Sequence, residues 1–558
     1  MPAQLYESVL KQLALSAALL LSACATVPNT VTAVPPAAMD EVSAYRPLSE
    51  QAAMVADGRT NSEALTRGYL DRIARLDRAG PTLQSVLAVN PNAVADAQAL
   101  DAELRAGRSR GPLHGVPVLI KDNIEVLGMP TTAGSLALAG NDNGRDAPLV
   151  ARLRAAGAVI LGKTNLSEWA NIRSGDSISG WSAVGGQVRN PHATDRNPCG
   201  SSGGSGVAAA AGLAAGAVGT ETNGSIVCPA SVNGAVGFKP TVGLVSRTHV
   251  VPISHSQDTA GPMTRTVADA ALMLSVMAGS DPADRDTAEA DRRKGDYLAA
   301  LSGERLQGTR IGVLRFNAGF DGEVDAVFNR AVETLKAGGA TVVEITALEG
   351  RGQVGSNSFQ VLMTELKADM AAYLATTRGP HRTLADLIRF NEANASAEMP
   401  LFGQELFVQA EATKGLNDPE YRKALATARR LAGPEGIDKL LREHKVDLLI
   451  APTTGPAWLI DVVNGDQYVG GGASTLPAVA GYPHLTVPMG QVRGLPVGLS
   501  FIGPAWSEAR VLGVGHAFEQ RRGPLAPPRF LRSVEDDPTV SETLKPRAPA
   551  RQPVEPTL

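Results

Sequence analysis

Helices alternating with short apolar strands predict an α/β protein of layered sheet and helix. Three observations carry that reading. A short apolar run at 113–120 (LHGVPVLI) ends at Lys121-Asp122-Asn123. An amphipathic stretch at 147–156 leads into a second apolar run at 159–162, which ends at Lys163-Thr164-Asn165. A third buried run, 446–451 (VDLLIA), lies far downstream, followed by a hairpin-like pair at 485–489 and 497–502.

The elements follow in order. From Ser43 to about Arg105 the pattern is helical, with Thr60-Asn61-Ser62-Glu63 as an N-cap region ahead of 64–76. Residues 198–240 concentrate Gly, Ser and Ala around two separated serines, Ser201 and Ser225. Such residues allow very close backbone approach. The apolar run 207–218 argues against a flexible linker and reads as one small-residue helix, buried because it lacks a polar face. Helical patterns follow at 267–278, 324–337, 359–374 and 419–443, and a strand at 310–314. The span 321–444 is expected to form a helical flank over the sheet. From 523 to 558 the chain is Pro-rich and charged and is expected to be disordered.

Composition narrows the function classes. The chain has 558 residues, 44% of them hydrophobic and 19% charged, which suits an ample core. A net charge of −4 points to no nucleic-acid partner. Aromatics are 4%, while Gly and Pro number 58 and 37, implying many tight turns. At the N-terminus Lys11 precedes an apolar run at 13–21, then Ser22-Ala23-Cys24. The run is too short for a permanent membrane span and suits a secretory h-region. Leu21-Ser22-Ala23-Cys24 resembles the bacterial lipobox, whose cysteine is lipidated. A signal peptide cleaved near Ala23 or Ala25, or a buried N-terminal helix, is the alternative. The expected organisation is a lipoprotein-type signal at 1–24, a tether at 25–42 and a single catalytic domain at 43–522, exported and held to a membrane by the lipid only. Export would allow Cys199 and Cys228 to pair. Free buried thiols are the commoner arrangement, and a bridge is the alternative.

Three groups stand out chemically. Lys121 ends an apolar strand, a position that presents a side chain to a pocket. Ser201-Ser202 lies in a glycine loop, and Ser225 lies in Thr222-Asn223-Gly224-Ser225-Ile226. A serine hydroxyl needs a base to become a nucleophile, and lysine serves only when burial lowers its pKa. Asp122 would oppose this, but adjacent side chains of an extended chain face opposite ways. Gly200-Ser201-Ser202-Gly203-Gly204 also matches G-x-S-x-G around Ser202, yet a nucleophile elbow requires a preceding strand, and 189–198 is polar and proline-broken. Of the eight histidines, His114 and His484 read as structural. His255 is read either as lining a cleft or as structural.

Lys121-Asp122-Asn123, Gly200-Ser201-Ser202-Gly203-Gly204, Gly224-Ser225-Ile226 and 234–241 (GAVGFKPT) together resemble the amidase signature family. Further matches at 162–171, 176–182, 219–225, 243–247, 253–263, 431–437, 451–455 and 480–490 are most similar to its peptide amidases, which remove the C-terminal amide of peptides. The resemblance implies a central mixed sheet covered by helices on both faces, and ammonia release from carboxamides without metal or organic cofactor. It implies Ser225 as nucleophile, Ser201 as a bridging serine whose link to Ser202 is cis, and Lys121 as base. Backbone N–H groups of Thr222, Asn223, Gly224 and Ser225 would form the oxyanion hole, and Ala170 and Asn171 would lie on the leaving-group side. Asn223 replaces a frequent glycine and tolerates φ > 0. The implied partner is a small-molecule or peptide amide, with no obligate protein partner. Two other readings stay open: a glutamine-hydrolysing component of an amidotransferase, and an inactive binding lipoprotein.

Overall fold

The computed structural model describes residues 42–303 and 305–545. The signal, Cys24 and all of the tether except Val42 lie outside the described residues. Among the described residues no helix is long and apolar enough to cross a membrane.

Thirteen strands are present among the described residues: β1 Val86–Val89, β2 Pro117–Lys121, β3 Val159–Thr164, β4 Trp181–Ser182, β5 Gly186–Gln187, β6 Gly216–Glu221, β7 Val236–Lys239, β8 Thr259–Thr264, β9 Arg310–Leu314, β10 Thr341–Ile345, β11 Leu448–Pro452, β12 His484–Val492 and β13 Leu495–Ile502. All but β4 and β5, which pair with each other, join one mixed sheet of 11 strands in the order β1-β3-β2-β6-β8-β7-β12-β13-β11-β9-β10. Strands β3, β2 and β6 run parallel, as do β10, β9 and β11. The strands between them alternate, with β12 and β13 forming the expected hairpin.

Both sheet faces are covered, and β13 shows how. Val497, Leu499 and Phe501 point into the main core, where Phe501 meets Phe518 of the helix Glu508–Arg522 with ring centroids 5.7 Å apart. Gly498, one step out of phase, backs onto the helix Val227–Asn233 on the opposite face. A Cβ there would lie 2.7 Å from Ser231 Oγ. The period-2 alternation of a strand serves both layers.

Several expectations need correction. The run 207–218 is not one helix but the end of the helix Gly203–Ala210, a turn, and the start of β6. A buried helix and a buried central strand both lack a polar face, so apolar content alone does not separate them. The helical stretch 43–105 contains β1. The flank 321–444 contributes the helix Gly322–Ala337 to the main core and β10 to the sheet edge. Its genuinely flanking part begins with the helix Arg351–Leu374, whose Met363, Leu366 and Met370 pack with Trp169, Val251 and Ile253. The stretch 419–443 breaks into Pro419–Ala432, a wide turn at Gly433–Ile437 and Asp438–His444. Pro434 lacks the N–H an uninterrupted helix needs. The tail is ordered through Lys545: Phe530 N donates to Pro191 O, Thr194 N to Leu531 O, and Val534 packs on Ala193 and Leu495. Residues 546–558 lie outside the described residues.

Candidate active site

The parallel register of β2 and β6 sets Ile120 beside Val218, so Lys121 and Thr220 reach the same carboxyl edge of the sheet. Ligand sites of open α/β sheets form at that edge. Lys121 is fully buried, and its Nζ lies 2.8 Å from Ser201 Oγ, 2.8 Å from Thr220 Oγ1 and 3.3 Å from Thr220 O. Burial lowers its pKa from 10.5 to about 7, and the carboxylates of Asp258 and Glu221 partly oppose that fall. Asp122 faces away, as strand alternation requires: it pairs with buried Lys163 at 2.8 Å and accepts from Thr132 N at 3.0 Å.

Ser201 is also fully buried, and its carbonyl accepts from Ser167 N at 3.0 Å. The cis peptide bond falls between Gly200 and Ser201, one link earlier than expected. Ser202 instead leads directly into the helix Gly203–Ala210, and its N–H donates to Ser225 O at 3.1 Å. The Ser202 hydroxyl donates to Thr220 O at 3.0 Å and accepts from Thr220 N at 3.2 Å. Both of its capacities are spent on the end of β6, so the G-x-S-x-G match has a structural job. Close approach explains the glycines here: a Cβ on Gly204 would lie 2.3 Å from Asn165 O and 2.4 Å from Ser85 O.

Beyond β6 the chain turns through Thr222, Asn223, Gly224 and Ser225 before the helix Val227–Asn233. Among the described residues, none of these four backbone N–H groups has an acceptor, and the half-buried Ser225 hydroxyl has no partner. Glu221 Oε2 holds the far end of the turn by accepting from Ile226 N at 2.7 Å and Val227 N at 3.1 Å. The left-handed residue of the loop is Gly224, at φ 85°, and not Asn223. The exposed Asn223 side chain instead accepts from Ser474 Oγ at 2.7 Å. Such a run of unpaired donors is an anion-binding feature.

A cavity of about 310 Å³ opens over this edge, lined by Asn123, Ala170, Thr220, Thr222, His255 and Asp258 among others. Trp169, Ala170 and Asn171 are all left-handed, at φ 49°, 56° and 70°. A Cβ on Gly200 would lie 2.1 Å from Ser167 Oγ and 3.0 Å from Asn171 Nδ2, so this turn is wedged against the residue before Ser201. His255 serves both roles read for it. It lines the cavity and binds Asp369 of the helix Arg351–Leu374 through Nδ1 at 3.0 Å, which raises its pKa. His114 and His484 are structural: His114 Nε2 contacts Leu100 O at 3.0 Å, and His484 Nε2 contacts Ser500 Oγ at 2.7 Å.

Cys199 and Cys228, for which free thiols are the commoner expectation and a bridge the alternative, are joined in a disulfide with Cα atoms 6.1 Å apart. The first turn of the helix Val227–Asn233 brings Cys228 onto Cys199, Val232 and Trp458 in one small cluster. Sequence reasoning gave no role to Thr220, Gln257 or Asp258. Asp258 is half-buried at the cavity wall and accepts from Thr222 Oγ1 at 2.6 Å, and Gln257 Nε2 donates to Thr222 O at 3.2 Å. Burial raises the Asp258 pKa to about 6. Both residues stand in the family-like segment 253–263, but only folding brings them onto Thr222.

This fold and site define an amide hydrolase. The family model for amidases matches residues 64–512, and the chain belongs to the amidase signature family. It is similar to the peptide amidase of Stenotrophomonas maltophilia, a solved structure, at 53% identity and a TM-score of 0.84, covering 87% of this chain and 98% of that one. A protein of Arabidopsis thaliana named as a probable amidase is 39% identical over 485 residues, 85% of this chain and 89% of its own length. A component of the glutamyl-tRNA(Gln) amidotransferase of Pseudomonas aeruginosa is 37% identical over 489 residues, 85% and 96% respectively.

Proposed function

We propose that this amide hydrolase releases ammonia from the C-terminal carboxamide of peptides through an acyl-enzyme on Ser225. One observation carries the mechanism: a buried lysine with a pKa of about 7, bonded to a buried serine beside a loop of unpaired backbone donors. Neutral Lys121 accepts the Ser201 proton while Ser201 takes that of Ser225, whose Oγ attacks the amide carbon. The N–H groups of Thr222, Asn223, Gly224 and Ser225 receive the oxyanion, each such donor being worth about 3–4 kcal/mol. As the tetrahedral intermediate collapses, Ser201 gives a proton to the departing nitrogen and regains one from Lys121. The C–N bond breaks and ammonia leaves. Water then attacks the Ser225 ester by the same relay, and the acid is released. Ala170 and Asn171 stand on the leaving-group side.

The peptide assignment rests on the likeness to the peptide amidase. The test is ammonia release from a panel of peptide amides, free amino-acid amides, aliphatic amides and glutamine. Peptide amides should be turned over fastest. A preference for glutamine, or co-purification with other chains of an amidotransferase, would move the protein to the amidotransferase reading. Failure of Ser225 to react with a serine-directed phosphonate would support the inactive binding protein. The same proposal places the enzyme outside the cytoplasm on a lipid at Cys24, from the sequence pattern of 11–24.

A further inference from the structure

The disulfide joins the two serine-bearing segments themselves. Cys199 stands two residues before Ser201, and Cys228 three residues after Ser225. Each serine is otherwise anchored separately. Ser201 is held from the side of β2 and β3, by Lys121 Nζ and by Ser167 N. The Ser225 loop is held from β6 and β8, by Glu221 at one end and by Gln257 and Asp258 on Thr222 at the other.

Few bonds cross directly between the two segments. Ser202 N donates to Ser225 O at 3.1 Å, and Asn233 Nδ2 donates to Pro198 O at 2.9 Å. Relay between two hydroxyls requires heavy atoms within about 2.6–3.2 Å in the reacting complex. Here the Ser225 hydroxyl makes no hydrogen bond among the described residues, so the crosslink holds the two segments close without itself forming the relay contact. A misplacement of about 1 Å can cost on the order of a hundredfold in rate.

We propose that the Cys199–Cys228 bridge is a positioning crosslink that sets Ser201 against Ser225, so that full activity belongs to the oxidised enzyme. The inference rests on the reading of these two serines as a proton-relay pair. Opening the bridge takes two electrons and two protons from a dithiol, which becomes its own cyclic disulfide as two protein thiols form. Closing it requires a disulfide-donating oxidant that is reduced in turn. Cys199 is buried, and Cys228 keeps partial exposure, which gives a small thiolate one side from which to enter. The other bonds between the segments survive reduction, so the expected consequence is loosened geometry within an intact fold.

The test compares oxidised enzyme, enzyme treated with dithiothreitol, and the Cys199→Ser/Cys228→Ser double variant. Free thiols are counted, and melting temperature is recorded for each. Two activities are read: ammonia release from a peptide amide, and the rate at which a fluorophosphonate labels Ser225. Opening the bridge should lower kcat and the labelling rate about tenfold or more, with KM changed far less, well below the melting temperature. Reoxidation should restore both in the wild type, and the double variant should be slow and indifferent to dithiothreitol. Unchanged kcat and labelling with two thiols titrated, or a lowered melting temperature alone, would overturn the proposal. If dithiothreitol leaves the native bridge closed, the double variant decides; if that variant does not fold, reduced wild type decides. Oxidised enzyme that labels at Ser225 but releases no ammonia from peptide amides sinks the substrate reading alone, and the labelling rates still judge the crosslink. Absence of labelling in every form overturns both.

Discussion

Activity should rise about tenfold between about pH 6 and pH 8 and then level off, because the base must be neutral and its pKa is about 7. With that value about 9% of Lys121 is neutral at pH 6, about half at pH 7 and about 91% at pH 8. A solvated lysine at 10.5 would be less than about 1% neutral at pH 8 and would gain another decade with each further unit. The assay is the initial rate of ammonia release from a peptide amide at low substrate, giving kcat/KM for the free enzyme across pH 5.5–10. The charged groups that act on Lys121 are the carboxylates of Asp258 and Glu221, and both favour its protonated form. Removing one should move the acid limb to lower pH, so Asp258→Asn, whatever it costs in kcat, should shift the limb downward. A profile that keeps climbing with unit slope beyond about pH 9, or one flat from pH 6 to 8, would refute the buried-lysine mechanism.

Further outcomes follow from the same geometry. Ser225→Ala should abolish turnover and phosphonate labelling with the fold intact. Ser202→Ala should keep labelling at Ser225 and lose about 1–3 kcal/mol of stability, because Thr220 N loses its acceptor in the interior and Thr220 O keeps only its contact with Lys121 Nζ; calorimetry and labelling separate the two. Lys121→Met should be inactive yet more stable at neutral pH by on the order of 2 kcal/mol. The sign follows from the lowered folded pKa: between about 7 and 10.5 the unfolded chain binds more protons, so the native enzyme gains stability as pH rises through that window. The advantage of the variant in thermal melts should therefore shrink toward pH 10. Cys24→Ser should release the protein from the membrane fraction and abolish labelling by a fatty-acid probe if the lipid anchor is present; unchanged fractionation would remove it.

The site was legible to different depths. Lys121, Ser201, Ser225 and the glycine loop stand out because catalysis here leaves local marks: a strand that ends in a cation, and glycines where backbone meets backbone. Asp122 was correctly turned away from Lys121 by strand alternation alone, and its buried partner is Lys163. Thr220 and Asp258 gave no such mark. A threonine inside a strand and an aspartate in a loop are ordinary residues until the sheet places them. The misread helix at 207–218 has the same origin, since burial on all sides erases the periodicity that tells helix from strand.

By itself, then, the sequence determined the family, the α/β class and the chemical types available at the site, because these depend on residue identity and short-range spacing. Tertiary structure decided which of those residues meet. It bridged Cys199 to Cys228, assigned Ser202 to holding the end of β6, and set Asp258 and Gln257 on Thr222. It also buried Lys121 deeply enough to lower its pKa to about 7. Desolvation and contact between distant segments arise only when the parallel strands β2 and β6 align their ends, and no local stretch of chain encodes that alignment.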